Sequence, residues 1–420
     1  MIIHTLLHIN FAILSILHFI LLSLKTLIIY YTFILYTHTQ LGWKMIHGDV
    51  FRGPSKVGIF ASFLGAGAQI FSTILILLIC VIIGVFKATR RGALLTALIV
   101  IYALCGLAGG FISSRVFKQL KGKNWVWNVV MTAGVFPVPL GLVFSWVNAV
   151  AWARSSTAAL PFTTIMVSMC LCTCICIVCL YVCVVYILHI VCKHTYNSIH
   201  TYMLTTCICI YVYISAYTPS TCIYTQLMMA ILAFVHFPFT VVGAVVGRNV
   251  TSEFRPPCRT NKVPREIPPV HVWYRHPLAQ LFMAGFLPFS AIYIELHYIF
   301  ASIWGHKIYT LFGILFLAFI MLIIVTSFIT IALLYFQLTR EDHQWWWSSF
   351  INGGATGLFI FAYSFFYYYH RSNMHGLLQL SFYFGYTAIA AYAFMLMLGF
   401  VGFFSAFTFV HYIYGAVKTD

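Results

Sequence analysis

The feature that most constrains this chain is a series of apolar runs, each long enough to cross a lipid bilayer as a helix. A hydrocarbon core about 30 Å thick needs about 20 mostly apolar residues per helical crossing. The 420-residue chain is 62% hydrophobic and only 7% charged. Open strands would leave backbone groups unpaired in lipid, and the runs lack the alternation of a membrane β-barrel. The sequence therefore predicts an all-α fold, a polytopic transmembrane helical bundle.

Polar breaks divide the chain into apolar windows, which we interpret as about nine spans plus an insert. The first window lacks a positively charged start and a small-residue cleavage site, so it is interpreted as a weak span and not as a cleaved signal peptide. The windows cover residues 9–36, 57–86, 92–114, 126–152, 160–192, 201–217, 226–247, 278–304, 308–338, 349–369 and 377–414.

The distribution of cations predicts the orientation of the bundle. The formal net charge is +16, but the Lys and Arg residues are spread over short loops and form no basic run typical of nucleic-acid binding. Short loops rich in Lys and Arg stay in the cytosol. This rule places the C-terminus in the cytosol, provided that an odd number of crossings separates Arg154 from Arg248. The cytosolic cations are then Lys44, Arg52, Lys56, Arg115, Lys118, Lys121, Lys123, Arg248, Arg255, Arg259, Lys262, Arg265, Arg275, Arg340 and Lys418.

Several long motifs, in order along the chain, resemble the nonaspanin or transmembrane 9 superfamily. Details such as WVWNVV and HRSNMHG are most similar to its member 1 branch. The resemblance covers about 41–169 and 230–420, the C-terminal membrane half of family members, which begin with a signal peptide and a large lumenal domain. The motifs are GWKMIHGDVFR (Gly42–Arg52), RRGALLTA (Arg90–Ala97), LPFTT (Leu160–Thr164), PCRTNKVPREIPP (Pro257–Pro269), GFLPFSAIYIELHYIFASIWG (Gly285–Gly305), YFQLTREDHQWWW (Tyr335–Trp347), FYFGY (Phe382–Tyr386) and the terminal AVKTD.

The resemblance divides the chain into four segments. Residues 1–40 are an unmatched apolar leader, 41–169 the first part of the nonaspanin membrane domain, 170–229 a Cys-rich apolar insert, and 230–420 the second part of the membrane domain. Most of the 13 cysteines lie in the insert. A zinc site would bury thiolates among apolar residues, and a disulfide framework would need a small domain in an oxidising compartment. Repeats such as CICI and YVYI favour a translated simple repeat, such as a retained intron.

The chain ends in Lys418, Thr419 and Asp420, which resembles the coatomer-binding signal of the family. In such a signal a lysine ammonium and the terminal carboxylates meet a receptor in the cytosol. The resemblance implies an integral membrane protein of Golgi and endosomes, active in the trafficking and localisation of membrane proteins. Its implied partners are the lipid bilayer, the coatomer coat and client membrane proteins with glycine-rich spans.

Glu295 supports an alternative function, since it is the acidic residue well inside a strong apolar span. Intramembrane carboxylates face the bundle interior and either fix packing or relay ions. Pro288, two turns earlier on the same face, is expected to open the helix locally. The alternative is therefore a proton, ion or small-molecule transporter or channel that uses Glu295. An inactive fragment that lacks the lumenal domain is a third interpretation.

Enzymatic function is not expected. The chain contains only seven acidic residues, and it has no nucleophile elbow, phosphate loop, dinucleotide fingerprint or metal-binding motif. No catalytic residue, cofactor or metal is therefore predicted, and no nucleic-acid partner.

Two further patterns, pairs of glycines and a run of tryptophans, each have a structural interpretation and a binding interpretation. Three glycine pairs have the spacing that lets helices approach closely, and they favour packing within the chain over binding of clients. The pairs are Gly106 with Gly110, Gly243 with Gly247, and Gly353 with Gly357. Trp345 to Trp347, at a span boundary, predict an aromatic belt at the headgroup level, with a lipid or sugar site as the alternative.

Overall fold

The computed structural model describes residues 42–85, 91–154, 235–250, 260–261, 263–267, 277–304, 312–371 and 376–416. All regular elements in these ranges are helices. They are α1 (Gly42–Met45), α2 (Val57–Ile82), α3 (Arg91–Leu104), α4 (Gly106–Gln119), α5 (Trp125–Gly134), α6 (Pro137–Ala153), α7 (Phe237–Val250), α8 (Pro277–Trp304), α9 (Phe312–Thr339), α10 (Trp345–Arg371) and α11 (Leu377–Ala416).

The helices confirm a polytopic bundle. Six helical segments in the described ranges are long and apolar enough to cross a membrane, with α3 and α4 forming one of them. Helices α5 and α6 are bent at 40° and together make a seventh candidate, whereas α7 is shorter. The windows predicted at 9–36, 160–192 and 201–217 lie outside the described residues.

The break between α5 and α6 falls at a proline. Pro137 starts α6 and has no backbone N–H to continue the ladder of α5. The hydroxyl of Tyr392 on α11 donates a hydrogen bond to the Val135 carbonyl oxygen at 3.1 Å. The rings of Phe136 and Tyr392 stack at 6.3 Å. A carbonyl at the break is thus satisfied by a neighbouring helix, as burial away from water requires.

All three glycine pairs are used for packing within the chain. On α4, a Cβ added to Gly110 would overlap the Thr240 carbonyl oxygen of the parallel helix α7. On α10, a Cβ at Gly353 would lie 2.7 Å from the Leu398 carbonyl oxygen, and one at Gly357 would lie 2.6 Å from that of Ala391. These distances are shorter than van der Waals contact, so the interpretation as intramolecular packing is confirmed.

One end of the bundle gathers most of the described cations, and we call it the basic end. Three contacts show that distant segments meet there. The Tyr414 hydroxyl donates to the Trp43 carbonyl at 2.7 Å, Lys118 Nζ donates to the Arg248 carbonyl at 2.7 Å, and the Asn261 amide donates to the Gly48 carbonyl at 2.8 Å. Helices α4, α7 and α11 therefore finish at the basic end, and α2, α5, α8 and α10 start from it.

Helix α6 ends at the opposite end of the bundle. Gly385, near the start of α11, packs against Val143 and Val147 of α6, whereas Tyr392 lies against the break before α6. Helix α6 therefore runs away from the basic end, and α7 finishes at it. Arg154, after α6, and Arg248, at the end of α7, therefore lie at opposite ends of the bundle, as the predicted orientation requires.

Replacing Gly110 with alanine tests the packing of α4 on α7. The added methyl group meets backbone atoms of Thr240 and Ala244, which cannot rotate away. We expect Gly110→Ala to lower the unfolding free energy by about 1–3 kcal/mol, the usual cost of overpacking. The melting temperature of the purified protein in detergent measures this loss.

Gly141→Ala is the matched control, because nothing lies within 4 Å of a Cβ at that helical position. Alanine favours a helix over glycine, so this variant should melt at or slightly above the wild-type temperature. Equal melting temperatures for the two variants would contradict the close approach of α4 and α7.

Candidate functional surface at the basic end

One half of the basic end is an ion-pair network centred on Asp49, which is 2% exposed. Its Oδ1 accepts hydrogen bonds from Arg52 Nη2 at 2.7 Å and Nε at 3.3 Å. Its Oδ2 accepts the backbone N–H of Arg265 at 3.3 Å. The Arg265 guanidinium in turn lies 2.8 Å from the Glu341 carboxylate. The network joins the loops before α2, α8 and α10, and its charges compensate one another.

Next to this network, the tryptophans at the start of α10 are bound by the loop before α2. Trp345 Nε1 donates to the Val50 carbonyl at 2.8 Å, and Trp347 Nε1 donates to that of Ser55 at 3.0 Å. Trp345 is fully buried, and its ring stacks on Trp346 at 4.6 Å. The predicted aromatic belt is therefore wrong for Trp345 and Trp346, because both side chains are buried.

The other half of the basic end carries cations from the end of α4, from the loop between α4 and α5, and from the end of α7. Lys118 is tied to the Arg248 carbonyl, and the Arg248 guanidinium lies over the Trp125 ring at 5.1 Å from its centroid. The indole of Trp125 donates to Ser114 Oγ at 3.1 Å. We call this area the cationic surface; its members are Arg115, Lys118, Lys121, Lys123 and Arg248.

The cationic surface differs from the ion-pair network in charge balance. No acidic residue occurs in the sequence between Asp49 and Glu253. Helices α2 to α7 and their connecting loops therefore supply no carboxylate to neutralise these five side chains. Arg115, Lys121 and Lys123 are exposed, so the surface can attract anions.

A buried polar network lies behind the cationic surface. Asn128 Nδ2 donates to Ser113 Oγ at 2.9 Å, and Ser113 Oγ lies 2.7 Å from Thr132 Oγ1. Ser62 Oγ donates to Asn128 Oδ1 at 3.3 Å, which joins α2 to α5. Sequence reasoning missed this network, because neutral polar residues in a span carry no charge signal; the asparagine in WVWNVV was the available hint.

A second buried group that sequence reasoning missed is His236, just before α7. It is 2% exposed, and its ring stacks on Tyr102 with 5.2 Å between centroids. Its Nε2 has no hydrogen-bond partner in the part of the chain that the structure describes. Within those same residues, no group of three or more His, Cys, Asp or Glu side chains could hold a metal ion.

Glu295 is half-buried on α8. Helix α8 continues through Pro288 as one helix from Pro277 to Trp304, and the local opening at Pro288 stays a prediction. Nearby on the same helix, His297 Nδ1 lies 3.1 Å from the Tyr363 hydroxyl of α10. The relay role of Glu295 stays a prediction, which an ion-flux assay of Glu295→Gln in liposomes can test.

The predicted coat signal, Lys418 and Asp420, lies outside the described residues, as do the leader and the Cys-rich insert. The described chain ends with α11 at Ala416, on the basic end. The segment boundaries at 40, 169 and 229 stay predictions.

Substitution of Asp49 tests the ion-pair network. Asp49→Asn keeps the shape of the side chain but removes the negative charge that accepts hydrogen bonds from Arg52 and from the Arg265 amide. Hydrogen bonds to charged groups contribute about 1.5–3 kcal/mol to stability. We expect a clearly lower melting temperature in detergent. Glu266→Gln, an exposed acid of the same end, is the control and should melt like the wild type. If both variants melt alike, the network does not stabilise the loops.

Comparison with known proteins identifies the family. The sequence model of the Endomembrane protein 70 family matches residues 1–202 and 189–377. Transmembrane 9 superfamily member 3 of Arabidopsis thaliana is 46% identical over 381 residues, 91% of this chain and 54% of the relative. Member 1 of Bos taurus is 40% identical over 379 residues, 90% of this chain and 52% of the relative.

Putative phagocytic receptor 1b of Dictyostelium discoideum is 42% identical over 379 residues, 90% of this chain and 54% of the relative. The chain spans about half the length of the curated relatives it matches. No solved structure matches it. The branch within the family stays a prediction. Matches over nine-tenths of the chain, together with a helical membrane bundle, show that the chain belongs to the Endomembrane protein 70 family, the transmembrane 9 superfamily.

Proposed function

We propose that this multi-spanning endomembrane protein works in Golgi and endosomal trafficking and localises other membrane proteins. We further propose that Lys418 and Asp420 form a coatomer-type retention signal. The observation that carries the proposal is the direction of α11, whose Tyr414 contacts Trp43 at the basic end. The tail that follows α11 thus starts beside the loops that hold most of the described cations.

The positive-inside rule supports a cytosolic position for the basic end. Coat proteins bind in the cytosol, so the signal can act only if the tail emerges there. Lys418 and Asp420 are the second and fourth residues after Ala416, the last residue of α11, and an extended chain spans at most about 3.6 Å per residue. The signal would therefore lie within roughly 14 Å of the end of α11, close to the membrane surface on which a coat assembles.

Client recognition has to use a surface other than the three glycine pairs, because those pairs pack inside the bundle. Helix α8 presents large exposed side chains, Phe282, Phe286 and Tyr293, on its outer face. A client span with glycines on one face could fit its small residues around such rings, as small residues allow close helix approach in lipid. We propose α8 as the client-facing helix.

The names of the relatives support a membrane protein and not an enzyme. They describe transmembrane proteins, and in one case a putative phagocytic receptor. We propose that the protein binds and escorts other membrane proteins without catalysing a reaction.

Tail variants test the retention signal in cells. We expect Lys418→Ala combined with Asp420→Ala to move the protein from the Golgi to later compartments, because both charged groups of the signal are lost. Thr419→Ala, in the same tail, is the matched control and should stay in the Golgi. An epitope inserted beside Gly376, where no atom lies within 4 Å of a Cβ, reports localisation and leaves the C-terminus free.

Quantitative microscopy against Golgi and endosome markers measures the shift. A peptide with the wild-type tail should also retain coatomer from cytosol, and the doubly substituted peptide should not. Identical localisation of wild type and double variant, with no coatomer retained, would refute the signal.

A further inference from the structure

The cationic surface has no role in the function proposed above, and its chemistry indicates a ligand. We propose that Arg115, Lys118, Lys121, Lys123 and Arg248 bind the phosphate-bearing headgroup of anionic phospholipids in the leaflet at the basic end. This proposal is independent of the coat signal and of client binding.

The cations of α4 and α7 are held at the same level by backbone packing. Gly110 and Gly247 allow the two parallel helices to touch, and Lys118 Nζ bonds to the Arg248 carbonyl. The Arg248 guanidinium rests on the Trp125 ring at 5.1 Å, which restricts its motion. A phosphate approaching this surface therefore meets positive charge that is already positioned.

Lys121 occupies a backbone position that favours glycine. Its φ is 55°, in the left-handed region. The Lys121 amide bonds to the Lys118 carbonyl and the Gly122 amide bonds to the Phe117 carbonyl, both at 3.1 Å, which closes the end of α4. Glycine is the usual residue at such a helix end, and a side chain there is strained. Lys121 places an exposed ammonium in the same loop as the exposed Lys123.

The side chains next to the loop indicate that it lies at the level of lipid headgroups. Trp127, in the first turn of α5, is 63% exposed, and Val126 is exposed beside it. Exposed tryptophans at the end of a span prefer the interface between headgroups and hydrocarbon. A cluster of Lys and Arg directly beside a span is typical of binding to anionic lipids. The position beside lipid-exposed side chains therefore favours a lipid over a soluble acidic protein.

Lipid retention by the full chain tests the proposal. The protein is reconstituted in nanodiscs of phosphatidylcholine alone, or of phosphatidylcholine with a minor fraction of a phosphatidylinositol monophosphate. Bound lipid is measured by native mass spectrometry, and the melting temperature is recorded in both lipids. We expect the wild type to retain the anionic lipid, to melt higher in its presence, and to lose both effects in high salt.

The test variant is Lys121→Gly with Lys123→Gln, which removes two exposed cations and places glycine where the backbone favours it. At the usual contribution of each cation near an anionic surface, we expect lipid binding about 10- to 30-fold weaker. The variant should melt at or slightly above the wild-type temperature in phosphatidylcholine alone, which separates loss of lipid binding from loss of fold.

The matched control is Lys44→Gln with Arg154→Gln, which removes the same charge from two exposed positions outside the cationic surface. It should retain the anionic lipid. Equal retention by the test and control variants would overturn the proposal. So would binding of a soluble inositol phosphate or an acidic peptide that is as tight as that of the lipid and equally sensitive to the test variant, because the ligand would then not have to be a membrane lipid.

Discussion

Exclusion of unpaired charge from the hydrocarbon core of a membrane is the constraint on which the whole structure depends. The chain meets it by placing the described Lys and Arg residues at or near helix ends, and by running successive helices in directions that bring most of them together. Two groups of these cations at the basic end differ in charge balance. Arg52 and Arg265 are neutralised by Asp49 and Glu341, whereas the cationic surface of α4, α5 and α7 has no carboxylate from its own helices. Structural loops and a surface that attracts anions therefore share one end of the bundle.

The same constraint shapes the interior. With little hydrophobic driving force between helices in lipid, association depends on close contact and on satisfied polar groups. Glycines bring α4 to α7 and α10 to α11 within backbone contact. Asn128 and Ser113 form hydrogen bonds across α4 and α5, and Tyr392 satisfies a carbonyl at the break between α5 and α6. Because these contacts use the glycine faces internally, the proposed client binding is assigned to an outward face, that of α8.

The limits of the long spans in the described ranges could be predicted well, because length and apolarity decide them. The window 278–304 became α8, Pro277–Trp304, and 377–414 became α11, Leu377–Ala416. The window 126–152 concealed a break, although Pro137 marked its place. The bond that stabilises the break comes from Tyr392, 257 residues away from its acceptor. Contacts of this kind have no local pattern, which is also why Asp49 with Arg265 and the burial of Trp345 could not be predicted.

The cytosolic side of the basic end is the claim that supports the retention signal and the coat partner together, and its most direct test is antibody access in cells. One version of the protein carries an epitope after Gly122, at the basic end, and another carries it beside Gly376, at the start of α11 on the opposite end. Permeabilising only the plasma membrane should expose the first epitope and leave the second protected until internal membranes are opened. Protection of the Gly122 epitope with exposure of the Gly376 epitope would contradict the account.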